Sequence, residues 1–206
     1  ASHGDTKQVV LLPEDPHECF EFGAQSFDLA DRLQTPVFVL LDLDIGMNDW
    51  LCEPFKWDDK RRLDRGKVMS AEELETGRTF GRYLDADGDG IPFRTYPGTH
   101  PSKGAFFTRG TSRDRFAKYT EVGSAYVDNM QRLLQKFETA KTLVPHPVER
   151  QATTPTRTGV LYYGSSSAAM KEALAQLEAD GVHLDAMRVR AFPFHDDIMA
   201  VSYTHL

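Results

Sequence analysis

Residues 29–50 read LADRLQTPVFVLLDLDIGMNDW, and the punctuation of this stretch decides the fold. Val37, Phe38, Val39, Leu40 and Leu41 form an unbroken apolar run between Pro36 and Asp42. Such a run predicts a strand buried on both faces, as in a parallel sheet covered by helices. In open α/β sheets, ligands sit beyond the carboxyl ends of the strands. Asp42, Asp44 and Asn48 fall there and are candidates for the wall of a cleft or a subunit interface.

Upstream, Gln8 to Leu12 (QVVLL) reads as a short strand. Asp15, Pro16 and Glu18 then make a helix start: a capping carboxylate, a proline in the first turn, and acid near the positive end of the helix dipole. Phe20, Gly23, Phe27, Ala30 and Leu33 recur at helical spacing and are expected to face the sheet. The helix must stop by Thr35, because a residue before proline avoids the α region. Strand, helix and strand in this order predict a right-handed βαβ unit.

Downstream, periodicity fades from Asn48 to Val122. An irregular stretch this long is suspect as a simple loop. It reads as an ordered insertion pinned by Trp50, Phe55, Trp57, Phe80, Phe93, Phe106 and Phe107, with a short helix capped by Ser70 and Glu73. Ala125 to Leu143 predicts an amphipathic helix with Val127, Met130, Leu133, Leu134, Phe137 and Ala140 inward. Pro145, Pro147 and Pro155 mark an extended linker. After it come a strand (Gly159 to Tyr163), a helix (Ala168 to Ala179, closed by Asp180-Gly181) and a strand (Leu184 to Val189). Both α/β pieces look cut short, since neither carries enough strands to close a core alone.

The chain has 206 residues, 40% hydrophobic and 27% charged, with a formal net charge of −7. That balance is globular and argues against a nucleic-acid partner, which calls for a basic patch. No apolar run approaches the roughly 20 residues of a membrane span, and no signal peptide opens the chain, so cytoplasmic residence is the default expectation. Cys19 and Cys52, the two cysteines, cannot supply the four ligands an iron–sulfur cluster takes.

Asp85, Asp87, Asp89 and Gly90 (DADGDG) place oxygen ligands at alternate positions and glycine at the sixth, as a calcium loop does. Tyr96 stands where that loop needs a bidentate glutamate, so an acidic surface turn is the competing reading. Gly164 to Ser167 follow a strand and open a helix, where backbone amides could hold an anion or merely cap. Arg109 in TRGT could clamp a carboxylate or stand in solvent. The seven histidines are scattered without ligand spacing; His3, ahead of a strand, is a cleft candidate or part of a surface turn.

Four segments occur in order: HGDT at 3–6, CFEFGAQSFDLADRLQTPVFVLLDLDIGMN at 19–48, FGRYLDADGDGIPFRTYPGT at 80–99 and FFTRGT at 106–111. Together they resemble the alpha subunit of the 2-oxoacid:ferredoxin oxidoreductases, close to the 2-oxoglutarate-type enzymes. The resemblance implies an internal piece of such a subunit. Residues 1–57 would be the tail of a thiamine diphosphate pyrimidine-binding domain, a parallel sheet with helices on both faces. Residues 58–144 would be the irregular insertion and helix, 145–157 the linker, and 158–201 a truncated transketolase C-terminal-like domain. The SYTHL segment at 202–206 does not continue that domain and reads as a non-native tail.

It further implies oxidative decarboxylation of a 2-oxoacid to its acyl-CoA on thiamine diphosphate, with ferredoxin reduced and coenzyme A as co-substrate. Thiamine diphosphate would be shared with a beta subunit carrying the magnesium and the iron–sulfur cluster. The family's cofactor- and substrate-binding segments lie upstream of Ala1, so no catalytic residue is carried onto this chain. In that family the acidic turn occurs without being a metal site. Two rival readings are another thiamine-dependent enzyme of transketolase type and a calcium-binding module built on Asp85, Asp87 and Asp89.

Overall fold

The structure is a computed structural model and describes residues 7–108 and 112–198. His3, Arg109 and the 202–206 tail lie outside the described residues. The elements in order are β1 (Val9–Leu11), α1 (Pro16–Leu33), β2 (Val37–Val39), α2 (Leu43–Gly46), α3 (Ala71–Glu75) and α4 (Gly123–Lys141). They continue with β3 (Val148–Arg150), β4 (Gly159–Tyr162), α5 (Ser166–Ala179), β5 (Asp185–Arg188) and β6 (Ala191–Phe192). The chain divides into two compact units. One comprises residues 31–34 and 64–140; the other comprises 8–30, 35–63 and 141 onward.

The α/β unit holds two three-stranded sheets, in orders β2-β1-β6 and β3-β5-β4. Each contains one parallel pair, β1 with β2 and β4 with β5, and both pairs flank a helix as the sequence predicts. Each also carries an antiparallel strand, β6 on β1 and β3 on β5. Helix α1 begins as expected, with the Glu18 amide donating to Asp15 Oδ1 at 2.8 Å. It ends where Gln34 turns left-handed at φ 51°, ahead of Thr35-Pro36. Helix α5 closes on Gly181, φ 81°, with the Val182 amide donating to the Leu177 carbonyl at 2.8 Å.

Three expectations are corrected. The buried face of α1 is Phe22, Leu29 and Leu33, whereas Phe27 is 74% exposed. Phe20 faces a different neighbour: its ring stacks on Phe55 at 5.0 Å and meets Trp57 edge-on at 6.1 Å. Strand β2 is not covered on both faces; it forms the edge of its sheet, and Phe38, Leu40 and Leu41 are 46%, 57% and 44% exposed. The expected linker contributes β3, because Val148–Arg150 pairs with the free edge of β5.

The irregular unit is built on turns. Ser70 and Glu73 form the expected reciprocal cap of α3, and the buried side chains are Met69, Leu74, Ile91, Ala117, Phe137 and Ala140. Of the side chains expected to face inward on α4, Val127 and Leu134 are each 51% exposed, while Lys136 is buried in their stead. The acidic turn docks on α4. Thr139 Oγ1 donates to the Asp89 carbonyl at 2.7 Å and Arg132 Nη1 to the Gly90 carbonyl at 3.0 Å. Gly90, at φ 76°, lies so close that a Cβ there would stand 2.2 Å from the Lys136 amide nitrogen. That close approach explains a glycine at this place without invoking a metal.

Candidate functional site at the carboxyl ends of the strands

Four parallel-strand ends of the α/β unit deliver polar groups: the Glu14 side chain after β1, the Asp42 side chain after β2, the backbone of Gly164 and Ser165 after β4, and the Arg188 and Arg190 side chains at and after β5. Asp42 does two jobs. Its Oδ1 accepts the Ile45 amide at 3.1 Å, capping α2. Its Oδ2 accepts the Ser165 amide at 3.2 Å, at the start of α5. Of the two readings of Gly164 to Ser167, an anion site or a helix cap, the structure shows a cap, supplied by the carboxylate of Asp42. Helix α5 has no side-chain cap of its own, so a carboxylate from 123 residues away fills that place. Gly164 stands at φ 63°, and a Cβ there would lie 3.2 Å from Asp42 Oδ2. The Ser165 hydrogen bond, against a small opposing effect of burial, holds the Asp42 carboxyl below its ordinary range.

Behind Asp42 lies a network of paired charges. Arg188, with 5% of its side chain exposed, grips Glu18 through two hydrogen bonds of 2.7 and 3.0 Å. Arg190 Nε adds a third to Glu18 at 2.8 Å. Glu14 joins through Arg188 at 3.3 Å, its own amide donating to Glu18 Oε2 at 2.9 Å. The hydroxyl of the buried Ser167 also donates to Glu14. Burial raises the Glu18 carboxyl, but the Arg188 hydrogen bonds and the charges of Arg188 and Arg190 outweigh it, leaving Glu18 below its ordinary value. This bidentate, fully compensated geometry is what a buried ion pair needs to be tolerated. It locks the start of α1, the start of α5 and the end of β5 into one rigid rim.

The sequence candidates are distributed unevenly on that rim. Asp42 is on it. Asp44 and Asn48 are exposed on and just after α2, with the Asp44 carbonyl accepting the Trp50 indole N–H at 2.6 Å. Around them Leu43, Met47 and Leu51 are 76%, 79% and 102% exposed. Glu14, Glu18, Arg188 and Arg190 were missed by sequence reading, since their charges look solvated until β5 is set beside β4. The two arginines two residues apart at a strand's carboxyl end are the one signal that could have shown them. A separate cleft of about 760 Å³ opens beside β4 and β5, with Val160, Leu161, Ala186, Met187 and Ile198 on its wall.

The irregular unit places Asp87 and Asp89, but not Asp85, around an ammonium group. Lys67 Nζ sits 2.9 Å from Asp87 and 2.7 Å from Asp89. Asp85 instead accepts the amides of Gly88 and Gly90, at 2.9 and 3.0 Å. A lysine thus occupies the place a cation would take, which supports the acidic-turn reading. Nearby, Arg82, Arg132 and Lys136 gather with no ion pair among the described residues. The Arg82 and Arg132 guanidinium groups lie 5.5 and 5.7 Å from the Tyr83 ring centre. Burial, then repulsion from Arg132 and Arg82, pushes the Lys136 ammonium down to about 8.

No protein-family model matches the chain. Its fold, however, is that of a solved 2-oxoglutarate:ferredoxin oxidoreductase from Magnetococcus marinus, at a TM-score of 0.76 and 20% identity over 93% of this chain and 32% of that one. By sequence, the chain is related along nearly all its length to the alpha subunits of the 2-oxoacid:ferredoxin oxidoreductases. It is 25% identical over 97% of its length to such a subunit from Saccharolobus solfataricus, and spans 31% of that relative. It is 37% identical over 62 residues to the 2-oxoglutarate synthase subunit KorA of Methanothermobacter marburgensis, 30% of this chain and 16% of that protein. The chain therefore spans under a third of the length of the curated relatives it matches.

Proposed function

We propose that this chain is the part of a 2-oxoacid:ferredoxin oxidoreductase alpha subunit that joins the pyrimidine-binding domain to the transketolase C-terminal-like domain. The whole enzyme would oxidatively decarboxylate 2-oxoglutarate or a similar 2-oxoacid to its acyl-CoA, with ferredoxin as electron acceptor. The observation that carries this reading is the collinear similarity over 97% of the chain to one such subunit. The α/β unit would supply residues 8–57 and 158–198 to the two domains, with residues 58–144 as insertion and 145–157 as their connection.

The strand-end carboxylates Glu14, Glu18 and Asp42 are each committed to partners within the chain. Cys19 is half-buried, and burial followed by the charges of Asp15 and Glu18 raises its thiol, while Cys52 is exposed. Neither is placed as a cluster ligand. We therefore assign magnesium and the iron–sulfur cluster to a beta subunit, and thiamine diphosphate, the electron sink for decarboxylation, to a crevice shared with it. No chemical step is given to a residue described here. The role of the rim is to hold strand ends rigid. Asp44, Asn48 and the apolar side chains Leu43, Met47 and Leu51 beside them would form part of the beta-subunit contact. Among the described residues no helix is long and apolar enough to cross a membrane, which fits an enzyme working in the cytoplasm.

The test is to express the complete gene with the beta-subunit gene and to follow dye or ferredoxin reduction. Reduction that needs 2-oxoglutarate, coenzyme A and both subunits is the expected result. A homodimer active without the beta subunit would favour the transketolase-type reading. Absence of any thiamine-dependent turnover in the assembled complex would overturn both.

A further inference from the structure

Within the α/β unit the fold brings His146, in the loop between α4 and β3, to His195 and Asp197, which lie two residues apart just after β6. Asp197 Oδ2 lies 3.0 Å from His146 Nδ1 and 3.0 Å from His195 Nδ1. The ligand atoms of all three lie within 4.8 Å of one another. The two imidazole rings are only 3.8 Å apart between centres, tilted by 41°. Aromatic pairs ordinarily settle at about 4.5–7 Å, so these rings are closer than ring packing alone would set them. Both Nδ1 atoms share Asp197 Oδ2, which draws the rings together, and the Asp197 amide also donates to His195 Nδ1 at 3.2 Å.

We propose that His146, His195 and Asp197 bind one borderline divalent cation, of which Zn²⁺ fits the donor set best. Two neutral imidazoles and a carboxylate suit such an ion better than magnesium or calcium, which prefer all-oxygen sites. With metal–ligand bonds of about 2.0–2.2 Å, ligand atoms of a tetrahedral site stand roughly 3.3 Å apart. The 3.0 Å separations here need to open by only a few tenths of an ångström. The site is built from within and open from without. The His195 side chain is 13% exposed, while those of His146 and Asp197 are 65% and 47% exposed. Water can thus complete the coordination. Arg190 Nη1 donates to the His146 backbone carbonyl at 3.3 Å, which steadies the loop that carries that ring. The bound ion would staple the loop after α4 to the segment after β6, whose strand pairs with β1. This site is independent of the proposed enzyme activity.

The experiment is zinc titration of the untagged full chain by calorimetry, with thermal unfolding followed in parallel. One ion per chain is expected at about micromolar affinity, with a rise of several degrees in Tm at excess zinc. Both effects should vanish in His195→Ala and in Asp197→Asn and persist in His17→Ala, which alters a histidine elsewhere. His146→Gln, on an exposed loop, tests the site even if the His195 variant folds poorly, because circular dichroism without zinc should be unchanged. Absence of stoichiometric binding, or binding that survives His146→Gln and Asp197→Asn alike, would overturn the proposal and leave a hydrogen-bonded triad.

Discussion

The two units bury charge in opposite ways. In the α/β unit, Glu18 and Arg188 are withdrawn from water together, and Glu14, Glu18, Arg188 and Arg190 each have a partner of opposite sign within 3.3 Å. In the irregular unit, Lys136 is 6% exposed beside Arg132 and Arg82, so the nearest charges repel it. The lesson is that burial alone says little about a charged group's role. On the rim, geometry keeps the charges and uses them to fix strand ends. Around Lys136 the fold instead weakens the charge by lowering the proton affinity of the amine.

The comparison breaks most visibly at Arg188. Arg188→Leu leaves Glu18 to Arg190 and Glu14 to the more distant Lys171, and should cost about 3–5 kcal/mol in urea unfolding of the full chain. A loss under 1 kcal/mol would mean that the rim is wet and its pairs are weak. On the other side, Lys136→Met should stabilise at pH 7, by roughly 2 kcal/mol. The sign follows from linkage: a lysine whose folded value is about 8 penalises folding fully below pH 8. The penalty fades as pH rises toward the unfolded value of ~10.4. Unfolding curves of the variant and the parent should therefore converge between those limits, and a gain that is flat with pH would assign the effect to packing instead. The smallest effect is expected at Asp42. Asp42→Ala removes a cap from α2 and the carboxylate from the start of α5, for about 1 kcal/mol. Hydrogen exchange should localise that loss to the amides of Ile45 and Ser165; loss of protection spread evenly over the unit would contradict the shared cap.

How far the sequence carried can be argued residue by residue. Helix α1 starts where Asp15 and Pro16 say it should, because a cap needs only its own first turn. The Ser70 and Glu73 pair is equally local and formed as read. The inner face of α1 was misread, because Phe20 and Phe27 are as apolar as Phe22 and Leu29 and only the packed neighbours separate them. The start of α5 at Gly164 was legible as a helix cap or an anion site, but not that Asp42, 123 residues distant, supplies the carboxylate. The strand β3 hid among prolines because an edge strand asks little of its own side chains.

By itself, then, the sequence determined what depends on near neighbours: caps, helix ends, the strands of two βαβ units, and the resemblance to oxidoreductase alpha subunits. Only the tertiary structure decided the rim of Glu18 and Arg188, separated by 170 residues, the basic cluster around Lys136, and the meeting of His146 with His195. The physical reason is the range of the forces involved. Backbone propensity and capping act over one turn and leave a pattern in the chain. The cost of burying charge depends on which distant side chain arrives to share it, and no stretch of sequence contains both partners.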